Sequence, residues 1–152
     1  MLITPSGVVY RHLRPGQIME VDLDGDVKSG SGIPSSEWRM HAAIYRARPD
    51  VRAIVHTHSP WATAASFRAA LSVVHDEGRI LLGDQIPVSR HAPPGTWDLA
   101  AAVAEALGKG VAVLIAQHGA VAVGQTLGEA LLRAEKVEET AELLFRVEGG
   151  GR

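Results

Sequence analysis

Two short, mostly apolar runs that lead into histidine constrain the fold of this chain most strongly. The first, residues 51–55, runs directly into His56 and His58, and the second, residues 111–116, is followed closely by His118. Runs of this length are typical of buried strands, and in a strand residues i and i+2 point to the same face. We therefore predict two strands whose ends bring histidine side chains to the same part of the molecule.

Three histidines placed in this way are compatible with a metal site. Neutral imidazole is a common ligand of zinc and similar divalent ions, and a site with three protein ligands leaves a position open for water or substrate. Such an open site can polarise a carbonyl group. The alternative is that His118 is a strand-end histidine with ordinary packing and that His56 and His58 are a half-exposed strand face. Spacing alone leaves both interpretations open.

Segments with helical patterns alternate with the strands. Residues 35–48 and 96–107 each predict a helix that begins at a serine or threonine cap, and residues 127–147 carry a long apolar stripe with helical spacing. Strands that alternate with helices favour a sheet with helices packed on its faces. The glycine-rich residues 149–152 are expected to form a frayed tail.

Composition narrows the class of protein. A chain of 152 residues fits one domain with a real core, so we predict a single domain over residues 1–152. The residues are 46% hydrophobic but only 5% aromatic, which favours packed α/β layers over a β-sandwich. With 17 acidic and 15 basic residues and no basic cluster, nothing indicates a nucleic-acid partner. The absence of cysteine excludes disulfides, and the lack of a signal peptide or membrane segment predicts a cytoplasmic protein with no membrane partner.

A second candidate site lies at the start of the first predicted helix. Ser35 and Ser36 offer hydroxyl groups there, and the free amides of a first helical turn favour an anion such as phosphate. Glu37 follows directly and is expected in the first turn. The alternative is ordinary helix capping, in which serines and an acidic residue at a helix start have no further role.

Four segments, taken together, resemble the class II aldolase/adducin family. They are Ile-Thr-Pro-Ser-Gly-Val at 3–8, Pro-Ser-Ser-Glu-Trp-Arg-Met-His at 34–41, Ile-Val-His-Thr-His-Ser at 54–59 and Gln-His-Gly at 117–119. Their order and spacing agree with the family across nearly the whole chain. The resemblance implies a three-layer α/β/α domain on a mainly antiparallel sheet, which usually assembles as a fourfold-symmetric homotetramer with active sites between subunits.

The resemblance also implies three kinds of site residue. The zinc (or other divalent metal) ligands of the family correspond to His56, His58 and His118. The catalytic acid/base carboxylate corresponds to Glu37. The contacts to substrate phosphate correspond to Gly7, Ser35 and Ser36.

The function implied is that of a zinc-dependent aldolase, a lyase that cleaves a small ketose phosphate such as fuculose 1-phosphate into dihydroxyacetone phosphate and an aldehyde. The family's pentulose-phosphate epimerases resemble this pattern but carry an aspartate where Glu37 stands, which favours an aldolase. Two alternatives remain: an epimerase or dehydratase of the same family, and a non-catalytic adducin-like assembly module.

The chain departs from the family pattern in three places. We expect a domain shortened at both ends, without the family's N-terminal helix and Gly-Asn-x-Ser segment and without the C-terminal extension that often supplies a tyrosine to a neighbouring subunit. Loss of these contacts is expected to affect phosphate binding and not the metal site. In addition, His91 stands near the position where relatives commonly place a tyrosine, either as a replacement proton donor or as a solvated loop residue.

Overall fold

The computed structural model describes residues 1–149. Of the predicted C-terminal tail, Gly149 is the last residue of a helix, and residues 150–152 lie outside the described part. None of the helices within residues 1–149 combines the length and the apolar character that crossing a membrane requires.

Residues 1–149 contain eight strands, five α-helices and two short 3-10 turns. The strands are β1 Leu2–Ile3, β2 Met19–Val21, β3 Val27–Ser29, β4 Ala53–Thr57, β5 Ala70–Ser72, β6 Gln85–Pro87, β7 Ala112–Ile115 and β8 Gly119–Gly124. The helices are α1 Trp38–Ala47, α2 Pro60–Ala65, α3 Asp76–Leu82, α4 Trp97–Leu107 and α5 Leu127–Gly149. The alternation of strands and helices that the sequence predicts is confirmed.

The central sheet has the order β4-β8-β7, and both of its strand pairs are antiparallel. A parallel bridge between Val88 and Leu114 connects β7 to the segment that follows the antiparallel β5–β6 pair. The prediction of a mainly antiparallel sheet is therefore confirmed. Because β8 lies between β4 and β7, it brings the two histidine-bearing segments next to one another.

Helices cover both faces of the central sheet. On β7, Val113 and Ile115 belong to a cluster with buried residues of α1 and α4, whereas Ala112 and Leu114 belong to a cluster with residues of α2, α3 and α5. This alternation follows from the two-residue period of a strand. All four side chains are buried, and full burial of a valine or leucine side chain contributes about 1.5–3 kcal/mol. The three-layer α/β/α arrangement is confirmed.

A smaller antiparallel sheet, β1-β2-β3, holds the N-terminal segment. Its own core consists of three buried side chains, Ile3, Met19 and Val21. The β2–β3 hairpin turns at Gly25, whose φ of 100° lies in the left-handed region. A Cβ atom on Gly25 would overlap the ring of Trp38, so glycine at this position lets the hairpin pack directly against the start of α1.

Residues 71–80 contain the end of a strand and the start of a helix. Strand β5 ends at Ser72, and α3 begins at Asp76 with Asp76 and Glu77 in its first turn. Acidic residues in a first turn interact favourably with the helix dipole. A change of element within ten residues leaves neither period long enough to be recognised in the sequence.

Candidate active site

His56 lies on β4 and is oriented by the backbone of the neighbouring strand. Its Nδ1 atom is 2.9 Å from the carbonyl oxygen of Ala120 on β8. A carbonyl oxygen only accepts hydrogen bonds, so Nδ1 carries the proton and donates it, and the lone pair lies on Nε2. A hydrogen bond of this kind fixes the tautomer and orientation of a metal-binding histidine.

The three predicted ligand histidines converge on one point. The Nε2 atom of His58 is 2.9 Å from Nε2 of His56 and 2.8 Å from Nε2 of His118. One ligand atom from each ring lies within 4.8 Å of the others. The structure thus brings together all three histidines that the sequence singles out.

His118 reaches this point from a turn and not from a strand. Strand β7 ends at Ile115, and residues 116–118 form the turn to β8. Gln117 in this turn has a φ of 59°, an uncommon conformation for a residue other than glycine. The prediction that His118 lies at the end of a strand is therefore wrong in detail, because β7 ends at Ile115. The short β7–β8 connection places a left-handed residue, Gln117, just before His118.

Gly119 allows this turn to lie against β4. A Cβ atom at position 119 would overlap the carbonyl oxygen of Thr57 and lie 3.2 Å from Cδ2 of the His58 ring. Only a residue without a side chain permits this approach, which sets the separation between His118 and His58.

The electrostatics of the cluster fit a divalent metal. Burial lowers the pKa of His56 to about 3 and, together with the charge of His58, lowers the pKa of His118. Both rings are therefore neutral near pH 7, as metal ligation requires. Imidazole nitrogens at three converging positions suit zinc or a similar divalent ion and leave coordination positions open.

Glu37 is a buried carboxylate at the start of α1, with only 7% of its surface exposed. Its Oε2 atom is buried and has no hydrogen-bond partner among residues 1–149. Burial raises the pKa of Glu37, while the backbone N–H of Gly95 and the charge of His58 partly oppose this shift. A carboxyl group in this setting can hold a proton closer to neutral pH than an ordinary glutamate.

The start of α1 differs slightly from the prediction. The helix begins at Trp38 with Glu37 as its N-cap residue, so the predicted Ser35 or Ser36 cap is one or two residues too early. The reason is that the backbone N–H of Ser35 donates to the carbonyl of Thr4 at 3.0 Å, which keeps this segment extended. The Ser35 hydroxyl oxygen instead accepts from the backbone N–H of Glu37 at 3.3 Å.

The segments that carry the predicted phosphate contacts lie side by side. Besides the Thr4–Ser35 hydrogen bond, the N–H of Ser6 donates to the carbonyl of Ile33 at 2.8 Å. Gly7 follows with a φ of 74°, and both Gly7 and Ser36 are exposed. This arrangement is compatible with an anion site, and the phosphate contacts of Gly7, Ser35 and Ser36 stay a prediction.

A cleft of about 470 Å³ lies beside the cluster, between the N-terminal sheet, α1 and β4. Ser35, His41 and His56 contribute polar groups to its otherwise mostly apolar wall. Burial lowers the pKa of His41 to about 4. His41 is therefore neutral under the conditions in which the three-histidine cluster can bind a metal.

Sequence reasoning missed the groups that hold these side chains in place. The carbonyl of Ala120 orients His56, and the N–H of Gly95 acts on Glu37. Both are backbone groups, which any residue type except proline supplies, so the sequence carries no direct signal for them. The Gln-His-Gly order at 117–119 is the one indirect signal, since a glycine next to a candidate ligand suggests close backbone approach.

An α/β/α domain with three converging histidines and a buried carboxylate is of the class that can bind a metal ion and leave a coordination position open. A family model described as Class II Aldolase and Adducin N-terminal domain matches residues 1–145. The chain belongs to this family, and the resemblance noted in the sequence is confirmed.

Characterised relatives and solved structures agree with this assignment. The chain is 40% identical over 147 residues to 5-methylthioribulose-1-phosphate/5-deoxyribulose-1-phosphate aldolase of Rhodospirillum rubrum, an alignment covering 96% of this chain and 66% of the relative. It is 39% identical over 144 residues to L-fuculose phosphate aldolase of Escherichia coli K12, covering 94% and 66%. A solved L-fuculose 1-phosphate aldolase superimposes with a TM-score of 0.93 at 35% identity, covering 100% of this chain and 72% of that one. The chain thus spans about 66% of the length of these curated relatives.

Proposed function

We propose that this chain is the metal-binding and catalytic part of a class II aldolase. The reaction is cleavage of a small ketose phosphate into dihydroxyacetone phosphate and an aldehyde. The single observation that carries the proposal is the convergence of the Nε2 atoms of His56, His58 and His118. An orienting hydrogen bond on His56 and a buried carboxylate at Glu37 support the same interpretation.

His56, His58 and His118 would hold the ion, which we propose to be zinc or another divalent metal. When bound, such an ion supplies Lewis-acid polarisation of a substrate carbonyl and offsets negative charge on substrate oxygen. The protein's contribution is to keep His56 and His118 neutral and to hold the rings in place before substrate arrives. The lowered pKa values of His56 and His118 and the Ala120 carbonyl serve this purpose.

Glu37 is the proposed proton donor and acceptor at carbon. In the cleavage direction the hydroxyl group of the aldehyde half loses its proton to water and becomes the carbonyl as the carbon–carbon bond breaks. The electron pair of that bond stays with the dihydroxyacetone phosphate half, and the carbon that holds it takes up a proton. A protonated Glu37 can supply this proton, and the ionised form can remove it in the reverse reaction. Burial raises the pKa of Glu37, which makes its protonated form more accessible than that of an ordinary glutamate.

Gly7, Ser35 and Ser36 are the proposed contacts to the substrate phosphate. The two hydrogen bonds between residues 4–7 and 33–36 hold these segments together, and the start of α1 adds the positive end of a helix dipole. A phosphate fixed there would set the position of the reacting carbons relative to Glu37.

The names of the matched relatives point to several substrates. Fuculose 1-phosphate, 5-deoxyribulose 1-phosphate and 5-methylthioribulose 1-phosphate are named in those relatives and form the natural first panel. Epimerisation or dehydration on the same site, and a non-catalytic assembly role, are the competing proposals. A homotetramer is the proposed assembly, on the basis of the family resemblance.

The test is a retro-aldol assay on metal-loaded protein with these three substrates and a pentulose 5-phosphate. Dihydroxyacetone phosphate release is followed by its enzymatic reduction, and the pentulose is analysed for epimerisation. We expect release from at least one ketose 1-phosphate. Release from none, with epimerisation of the pentulose, would establish the epimerase instead, and no turnover by protein that carries metal would favour the assembly module.

The decisive variant is Glu37→Gln, which keeps the shape of the side chain and removes its proton chemistry. General acid–base groups contribute about 100- to 10,000-fold to rate, so kcat should fall by about that factor while metal content is preserved. The matched control is Glu105→Gln, an exposed position on α4, which should leave kcat unchanged. Normal cleavage by the Glu37→Gln variant would exclude Glu37 as the acid/base.

A further inference from the structure

Helix α2, which follows His58 almost directly, begins with a proline and obtains its capping from elsewhere in the fold. Pro60 has no N–H to satisfy, and the N–H of Thr63 donates to the carbonyl of Ser59 at 2.9 Å. Within the described residues, the Ser59 side chain caps no amide of this helix. The two remaining first-turn amides, those of Trp61 and Ala62, therefore need an acceptor from another element.

Glu138 on α5 supplies that acceptor for both amides. Its Oε1 atom accepts from the N–H of Trp61 at 2.9 Å, and its Oε2 atom accepts from the N–H of Ala62 at 2.7 Å. Hydrogen bonds to a carboxylate are roughly twice as strong as those between neutral groups. One side chain, distant in sequence, thus fixes the position of the first turn of α2.

Helix α2 also touches the segment that carries His118. The Thr63 hydroxyl lies 3.5 Å from the carbonyl oxygen of His118, and the N–H of Gln117 lies 3.5 Å from the carbonyl of Ser66. Both contacts are long and therefore weak. They can align residues 117–118 with the helix only if α2 itself is held firmly.

We propose that Glu138 is a positioning residue for the metal centre. By fixing the start of α2 it fixes His58, which lies two residues before that helix, and through α2 it supports the turn that carries His118. The two-point contact to Trp61 and Ala62 is the structural basis of this role. The proposal rests on the proposed metal binding by the three histidines and requires nothing about the substrate.

The test compares zinc affinity and the visible absorption spectrum of bound Co²⁺ in the full chain and in Glu138→Gln. A glutamine side chain has one acceptor oxygen, so it can accept from only one of the two amides. Its NH₂ group then faces the second amide, to which it cannot bond. Loss of a group that holds metal ligands in position typically lowers metal affinity about 10- to 100-fold. We expect a loss of about this size, together with a changed Co²⁺ spectrum that reports altered ligand geometry.

The matched control is Val137→Ala, on the same helix and one residue away. Val137 is fully buried in the sheet–helix core, so its truncation destabilises α5 without removing an acceptor from α2. Urea unfolding of both variants allows comparison at known stability. The proposal is overturned if Glu138→Gln binds zinc like the unmodified chain, or if Val137→Ala weakens binding and changes the spectrum equally. An unmodified chain that binds no ion would overturn the proposed function as well.

Discussion

The central sheet and the N-terminal sheet provide different parts of the candidate site, and the core beside the central sheet is much larger than the core beside the N-terminal sheet. His56 stands on β4, His58 directly after the end of β4, and His118 on the β7–β8 turn. The neighbouring strand β7 is buried on both faces and flanked by two large clusters. The predicted phosphate contacts stand beside β1–β3, where three buried side chains form the core and β3 is exposed throughout.

This difference indicates that the two parts are separable. The three-histidine cluster depends on strand pairing and on Gly119, which are set by the folding of the central layers. The two segments that carry the predicted phosphate contacts, residues 4–7 and 33–36, are held together by two backbone hydrogen bonds. We therefore expect changes near the N-terminal sheet to alter anion binding with little effect on metal binding, and changes at the β4–β8 pair to affect both.

The largest expected effect is that of His58→Ala. His58 Nε2 lies within 2.9 Å of both other Nε2 atoms, so its loss removes the middle ligand. Metal content after dialysis, measured by mass spectrometry, should fall from about one ion per chain to near zero, since a zinc site needs at least three protein ligands. The control, His91→Ala at an exposed position, should keep its metal. Equal metal content in both variants would contradict the assignment.

Gly119→Ala should give the next largest effect, because its Cβ would overlap the Thr57 carbonyl and force β4 and β8 apart. Overpacking of this kind costs about 3 kcal/mol in the free energy of unfolding, measured by urea denaturation. Gly16→Ala, in the N-terminal region, is the matched control, since no described atom lies within 4 Å of that Cβ. If the two variants were equally stable, the close approach of the β7–β8 turn to β4 would be wrong.

Acid should destabilise the metal-free protein through two partly buried histidines, His41 and His56. The folded pKa values of His41 and His56, about 4 and about 3, lie below the unfolded value of 6.5. The unfolded chain therefore binds more protons in this window, and stability that is present above pH 6.5 is lost as pH falls toward 4. His41 alone should cost about 2 kcal/mol between pH 7 and pH 5.

This pH dependence is measured by urea unfolding in the presence of a chelator. His41→Gln removes one of the two groups and should flatten the profile, whereas His12→Gln, at an exposed position, should not. A profile unchanged by His41→Gln would show that His41 is not held neutral by burial.

The smallest expected effect is that of Ser35→Ala. The variant loses the acceptor for the Glu37 N–H, a bond of 3.3 Å, and a missing acceptor at a helix start typically costs about 1 kcal/mol or less. Metal content should be unchanged, while affinity for inorganic phosphate, measured by calorimetry on the metal-loaded protein, should fall. A loss of metal from Ser35→Ala would contradict the separation of the two parts.

The sequence predicted the central part of the molecule well because its signals there are local. The apolar runs before His56 and His118, the Thr96 cap and the stripe of α5 each follow from a periodicity or a cap within one segment. The Thr96 hydroxyl oxygen does accept from the N–H of Leu99, at 3.1 Å. The α/β class and the antiparallel sheet were also predicted, the latter through the family resemblance.

The errors and omissions lie where long-range contacts determine the local structure. The start of α1 was misplaced because the Thr4 carbonyl, far away in sequence, holds Ser35 extended. The turn at Gln117 follows from the closeness of β4 to Gly119. The role of Glu138 could not be recognised either, because an acidic residue on a polar helix face is ordinary until its backbone partners are known.

We propose that three imidazoles, from β4, from the residue that follows it and from the β7–β8 turn, hold one divalent ion. Anomalous diffraction at the zinc edge, from crystals grown with zinc, tests this proposal directly. We expect a strong anomalous peak between the Nε2 atoms of His56, His58 and His118, with about 2.0–2.1 Å to each. A peak bound elsewhere, with these three rings directed away from one another, would contradict it.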